Sequence, residues 1–122
     1  MDQLAKPIAL VVEDDEMQRE LVSMLLEESD MRVIECESAE DAMRILDTHG
    51  PSITIIITDV QLAGQMNGVE LSIAAKNRFP EMSVIITTGS APPEIPAGAM
   101  FMQKPWRALD ILREAERARS HM

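Results

Sequence analysis

The run Ile53-Thr54-Ile55-Ile56-Ile57-Thr58 constrains the fold of this chain more than any other segment. β-Branched side chains are stiff at χ1 and pack well on a pleated surface, so such a run specifies a strand. Because its apolar residues do not alternate, both faces of the strand must be covered, the situation of a parallel sheet with helices on each side. The flanking sequence agrees. Ile8-Ala9-Leu10-Val11-Val12 is a second double-sided apolar run, followed at once by Glu13, Asp14, Asp15 and Glu16. Met17, Leu21, Met24, Leu25 and Glu28 then recur at helical intervals, and acids in the first turn suit the positive end of the helix dipole.

The same unit repeats along the chain. A weaker strand over Met31 to Cys36 leads to Ser38, an N-cap for a helix carrying Ala39, Ala42, Met43, Ile45 and Leu46, which Gly50-Pro51 ends. The 53–58 strand delivers Asp59 at its C-terminal end. A loop from Gly64 to Gly68 precedes a helix with Val69, Leu71, Ile73, Ala74 and Ala75, which Pro80 stops. Val84 to Thr88 is a fourth strand, Met100 to Met102 a short fifth, and a last helix runs from about Arg107 to Arg119. Strands alternating with helices give a doubly wound α/β domain. Five strands in 122 residues favour the flavodoxin-like parallel order 2-1-3-4-5, as one domain over residues 1–122 with its core at about 7–119. One crossover stands apart. Residues 89–98 hold Pro92, Pro93 and Pro96 and are short for a helical connection, so the fourth helix is expected to be missing or irregular.

Composition excludes several functions. Eleven Lys+Arg against twenty-one Asp+Glu leave a net charge of −10, without a basic run to meet a phosphate backbone. The aromatics are Trp106, Phe79 and Phe101, too few for base stacking. Nucleic acid is therefore not an expected partner. No apolar run of about 18 residues or secretory leader occurs, so no membrane role is expected and the cytoplasm is the expected location. Cys36 stands alone, in keeping with a reducing compartment. Aliphatic residues and ten Met must fill the core, and Met17, Met24 and Met43 are read as core fillers.

Chemistry converges where the strands end. In the order 2-1-3-4-5 the sheet reverses between strands one and three, and ligands bind beyond the carboxyl ends at that point. Strand one ends in Glu13-Asp14, strand three in Asp59 and strand four in Thr88, while strand five leads into Lys104. Two carboxylates about 4 Å apart repel by about 4 kcal/mol at an effective dielectric of 20. Three such groups require a counter-ion or raised pKa values, and a hard divalent cation with oxygen ligands, Mg²⁺, resolves the repulsion. Carboxylate nucleophile, metal ligands, lysine and hydroxyl together meet the needs of phosphoryl transfer. Asp59, alone at its strand end, is the candidate nucleophile, with Glu13 and Asp14 as metal ligands.

Four motifs in register, Val11-Val12-Glu13-Asp14-Asp15, Thr58-Asp59, Ile86-Thr87-Thr88-Gly89 and Lys104-Pro105-Trp106, resemble the receiver domains of response regulators over about Ile8 to Arg119. The resemblance implies that Asp59 is the phosphoacceptor of a two-component pathway. It implies that Glu13, Asp14, Asp59 and the backbone carbonyl of Gln61 hold Mg²⁺, and that Thr88 and Lys104 serve the phosphoryl group. Thr88 and Phe101 become switch residues, and Lys104-Pro105 a cis peptide. Thr88 is preferred to Thr87 because Gly89 follows it and strand alternation allows it. The implied partners are a histidine kinase or phosphotransfer protein and an unknown downstream protein. Three departures stand out: Glu13 in place of the commoner Asp, a loop after Asp59 that lacks Met-Pro and is one residue longer, and the altered crossover.

Other readings compete. The acids at 13–16 alone could be no more than a helix start, and Lys104 a solvated loop cation. His49 and His121 take no role. A phosphatase acting on an external substrate is disfavoured because Gln61 stands where such enzymes place a second acid, and Gln cannot transfer protons in that way. The chain is thus expected not to be an enzyme, beyond its own phosphorylation and a slow autodephosphorylation tuned by Gln61 and Ser90. The alternative function is a pseudo-receiver, never phosphorylated, that only binds other proteins.

Overall fold

The computed structural model describes residues 6–90 and 94–120. Five strands, β1 (Ile8–Val12), β2 (Arg32–Cys36), β3 (Ile53–Asp59), β4 (Ser83–Thr88) and β5 (Met100–Gln103), pair in parallel in the order β2-β1-β3-β4-β5. The helices are α1 (Glu16–Glu28), α2 (Ala39–His49), α3 (Gly68–Arg78) and α4 (Ala108–Arg119). The expected α/β class and strand order are those observed. No helix occurs between β4 and β5 among the described residues. The expectation for the 89–98 crossover falls partly on residues 91–93, with Pro92 and Pro93, which lie outside the described residues, as does His121.

The sheet is buried on both faces, and strand parity sorts the side chains. Leu10 and Val12 of β1, Ile56 of β3 and Val84 and Ile86 of β4 meet α2 and α3 through Ala39, Ala42, Leu46, Leu71 and Ala75. Ala9, Val11, Ile55, Ile57 and Ile85 point the other way, onto Val22 and Leu26 of α1 and Ile111, Ala115 and Ala118 of α4. The pairing of β1 with β3 shifts register at Ile8/Ala9, so Thr54 is an extra residue. That shift is why Ile53 and Ile56 share one face despite their odd spacing.

Helix starts follow local capping rules. Ser38 accepts from the backbone N–H of Asp41, Asp15 caps α1 by accepting from Gln18 N, and Asn67 and Glu70 form a reciprocal capping box on α3. Phe79 is the C-cap of α3, directly before Pro80.

One expectation about the core is corrected. Met17 is 82%, Leu21 47% and Met24 58% exposed, whereas Val22, Ser23 and Leu26 are buried. α1 therefore turns a different stripe to the sheet from the one marked by its methionines. Met17 and Met24 are not core fillers; Met43 of α2 does pack, half-buried, against the core. Ile73 of α3 is likewise exposed.

Candidate functional site

The site lies at the carboxyl ends of β1, β3, β4 and β5. β1 leads straight into Glu13 and Asp14, and its neighbour β3 ends on Asp59. One carboxylate oxygen from each of Glu13, Asp14 and Asp59 lies within 4.8 Å of the other two. Glu13 is buried, Asp59 half-buried and Asp14 exposed, so the cluster opens to solvent on the Asp14 side. Three converging hard oxygen donors fit Mg²⁺, which takes a few carboxylates and keeps several waters.

Lys104 reaches into this cluster from the end of β5. Its Nζ donates to Asp59 Oδ2 at 3.0 Å, to Glu13 Oε1 at 3.2 Å and to Gln18 Oε1 at 2.5 Å. Lys104-Pro105 is cis, as the resemblance implied. The backbone holds the lysine in place, because Lys104 N donates to Thr88 O at 2.9 Å. Glu13 is anchored on both sides: its Oε2 accepts from Asp15 N at 3.2 Å, and its backbone carbonyl accepts from Arg19 at 2.8 Å.

These contacts shape the titration of two groups. Burial pushes the Glu13 carboxyl above its ordinary value, and the negative charge of Asp59 adds to the rise. The Asp15 backbone hydrogen bond and the Lys104 charge only partly offset it. Burial by itself would lower the Lys104 amine, but its hydrogen bonds and charge pairing with Asp59 and Glu13 outweigh that and hold it above its ordinary value.

The remaining expected residues take the following places. Thr88 ends β4, buried, and its Oγ1 accepts from Ser90 N at 3.2 Å. Thr87 pairs in register with Asp59, and its carbonyl accepts from Val60 N. Gln61 lies in an exposed bend just after β3, and Phe101 is half-buried on β5 opposite Ile86.

The loop after Asp59 depends on Gly68, which the sequence marks only as the end of a loop, and on Glu40, which it does not mark. Gly68 N donates to Val60 O at 2.8 Å, and a Cβ at Gly68 would lie 2.0 Å from the carbonyl oxygen of Asp59. Only glycine lets α3 start this close to the phosphoacceptor candidate. Glu40 of α2 reaches across to accept from Gln65 N (2.9 Å) and Met66 N (3.0 Å), and those bonds hold its carboxyl below the ordinary range. Gln18 was also missed. A polar residue in the first turn of a helix has no distinguishing periodicity, and only the tertiary contact with Lys104 singles it out.

The sequence profile of the response regulator receiver domain matches residues 9–114. A two-component response regulator from rice (Oryza sativa subsp. japonica) is 31% identical over 119 residues, covering 90% of this chain and 69% of the rice protein. A cyclic di-GMP phosphodiesterase from Thermotoga maritima is 34% identical over 110 residues, 85% of this chain. The chain spans 28% of that protein and 18% of an Arabidopsis thaliana relative. In fold it is similar to the crystal structure of a CheY-like receiver domain protein from Methanospirillum hungatei. The TM-score is 0.84, with 95% of each chain covered at 24% identity.

Proposed function

This chain belongs to the response regulator receiver domain family of two-component systems, and from that premise we propose that Asp59 accepts a phosphoryl group from a phosphohistidine. The observation that carries this reading is the contact set of one ammonium: Lys104 bonds Asp59 and Glu13 within a cluster of three carboxylates. An Oδ of Asp59 attacks phosphorus, the P–N bond of the donor breaks, and the imidazole leaves, gaining a proton. Lys104 positions the Asp59 carboxylate through its 3.0 Å contact and neutralises charge gathering on the phosphoryl oxygens. The Thr88 hydroxyl, which accepts from Ser90 N, can donate its own proton to a phosphoryl oxygen, which couples the site to the end of β4. Mg²⁺, held by Glu13, Asp14, Asp59 and the Gln61 carbonyl, would supply the remaining charge neutralisation.

The partner on the donor side is a histidine kinase or phosphotransfer protein. Supporting this, α1 shows solvent an apolar stripe of Met17, Leu21 and Met24 beside a cleft of about 560 Å³ lined by Gln18, Leu21, Gly89, Lys104, Pro105 and Trp106. Among the described residues no helix is long and apolar enough to cross a membrane. Cytoplasmic signalling through protein contacts, without nucleic-acid binding or turnover of an external substrate, completes the reading.

Intact mass after incubation with Mg²⁺ and acetyl phosphate tests it. A Mg²⁺-dependent gain of one phosphoryl group, absent in Asp59→Asn, is the expected result. No gain with any donor would leave the chain as a protein-binding module alone.

A further inference from the structure

The Lys104 ammonium has three donors, and three acceptors surround it. Two of them, Glu13 and Asp59, are also two of the three carboxylates whose oxygens converge. Neither can serve the ammonium and a second cation at full strength, and two cations on the same oxygens repel. Whatever fills the acidic cluster therefore weakens two of the three bonds that hold Lys104. The third acceptor, Gln18, is different. Its amide oxygen carries no net charge, makes the shortest of the three contacts at 2.5 Å, and lies outside the acid cluster.

Gln18 is also well held. It sits in the first turn of α1, and its N–H donates to the capping Asp15 Oδ1 at 3.0 Å, next to Glu13 and Asp14 in sequence. Its half-buried side chain lines the same cleft as Lys104 and Trp106. α1 thus presents to the lysine an acceptor that is not one of the clustered carboxylates.

We propose that Gln18 is a positioning residue, a neutral anchor that keeps the Lys104 ammonium at the pocket when Glu13 and Asp59 are engaged by a divalent cation. Without it, cation binding to Glu13 and Asp59 strips the lysine of every partner, so the cation binds more weakly and the ammonium is released to solvent. This rests on the reading of the acidic cluster as a metal and phosphoryl site. It adds a residue on α1 that neither the motifs nor the strand ends identify.

The test uses the full chain and two variants. Gln18→Met removes the acceptor at nearly constant size, and Gln18→Glu keeps it. Mg²⁺ affinity is measured by calorimetric titration, and the Lys104 ammonium is followed by its ¹⁵N signal in Mg²⁺-saturated protein, visible only while the group exchanges slowly with water. Gln18→Met is expected to bind Mg²⁺ roughly threefold to tenfold more weakly, the scale of one charge-assisted hydrogen bond discounted for partial exposure. It is also expected to lose the ammonium signal at an unchanged thermal midpoint, and Gln18→Glu to regain the signal. Either a Gln18→Met affinity within about twofold of wild type or a retained ammonium signal overturns the proposal, as does wild type that binds no Mg²⁺. None of these readouts requires phosphorylation. Wild type that binds Mg²⁺ but does not label with acetyl phosphate would sink the phosphoacceptor reading and leave the role of Gln18 to be judged by the titrations.

Discussion

At the scale of single residues, the site combines charges that conflict with one another and a backbone that leaves no slack. Glu13 holds its proton more tightly in the folded chain than in the unfolded one. The metal-free fold therefore carries the extra proton from about pH 4.5, the ordinary value, upward, and this contribution to stability is lost as pH rises through that range to the raised native value. Glu40 works in the opposite direction, since its lowered value adds stability that is lost as pH falls. Comparing wild type with Glu13→Gln isolates the first effect. Urea midpoints measured without metal should fall more steeply with rising pH in wild type than in Glu13→Gln; equal slopes would refute this account of Glu13. Gly68 makes a second prediction. A methyl group there meets the Asp59 carbonyl at 2.0 Å, so Gly68→Ala should cost about 1–3 kcal/mol, the range for overpacking. It should also slow acetyl phosphate labelling, because the carbonyl that must move belongs to the phosphoacceptor candidate. Urea unfolding and intact mass check the two parts.

At the scale of elements, α1 shows how a helix with two apolar stripes is resolved. Helical spacing marks the stripe of Met17, Leu21 and Met24 as core, but the sheet takes Val22 and Leu26, which pack with Ile111 and Ala115 of α4. Acids at the end of β1 anchor the start of the helix: Asp15 caps it, and Arg19 bonds the Glu13 carbonyl. Those two ties fix the start of α1 beside the acids, while the packing of Val22 and Leu26 against the sheet and α4 goes with the stripe that faces inward. Leu26→Ala should cost about 2–5 kcal/mol, the range for emptying a core leucine site, and Leu21→Ala no more than about 0.5 kcal/mol. Denaturant midpoints distinguish the two; comparable losses would mean that α1 is rotated relative to this description.

At the scale of the whole molecule, folding gathers acids that a chain of net charge −10 would otherwise keep apart. Stability and ligand binding are linked through that cluster. A cation that binds only the folded form stabilises it by about 2.7 kcal/mol at a hundredfold excess over its dissociation constant. Thermal midpoints should therefore rise with Mg²⁺ and return on chelation, and Asp14→Ala should reduce the rise. A midpoint indifferent to Mg²⁺ would count against metal binding at Glu13, Asp14 and Asp59.

What the sequence determined is what covalent connectivity and strand parity impose. A double-sided β-branched strand requires helices on both faces. A residue directly following such a strand must emerge at the sheet's carboxyl edge, so Glu13, Asp14, Asp59, Thr88 and Lys104 could be assigned to one crevice from order alone. The caps at Ser38 and the stop at Pro80 are equally local. Only the tertiary structure decided the rotation of α1, the approach of Gly68 to the Asp59 carbonyl, the reach of Glu40 to the Gln65 and Met66 amides, and the contact of Gln18 with Lys104. Periodicity marks which residues of a helix share a face but not which of two apolar faces is buried. Contacts between residues 25 or 86 positions apart leave no trace in local spacing.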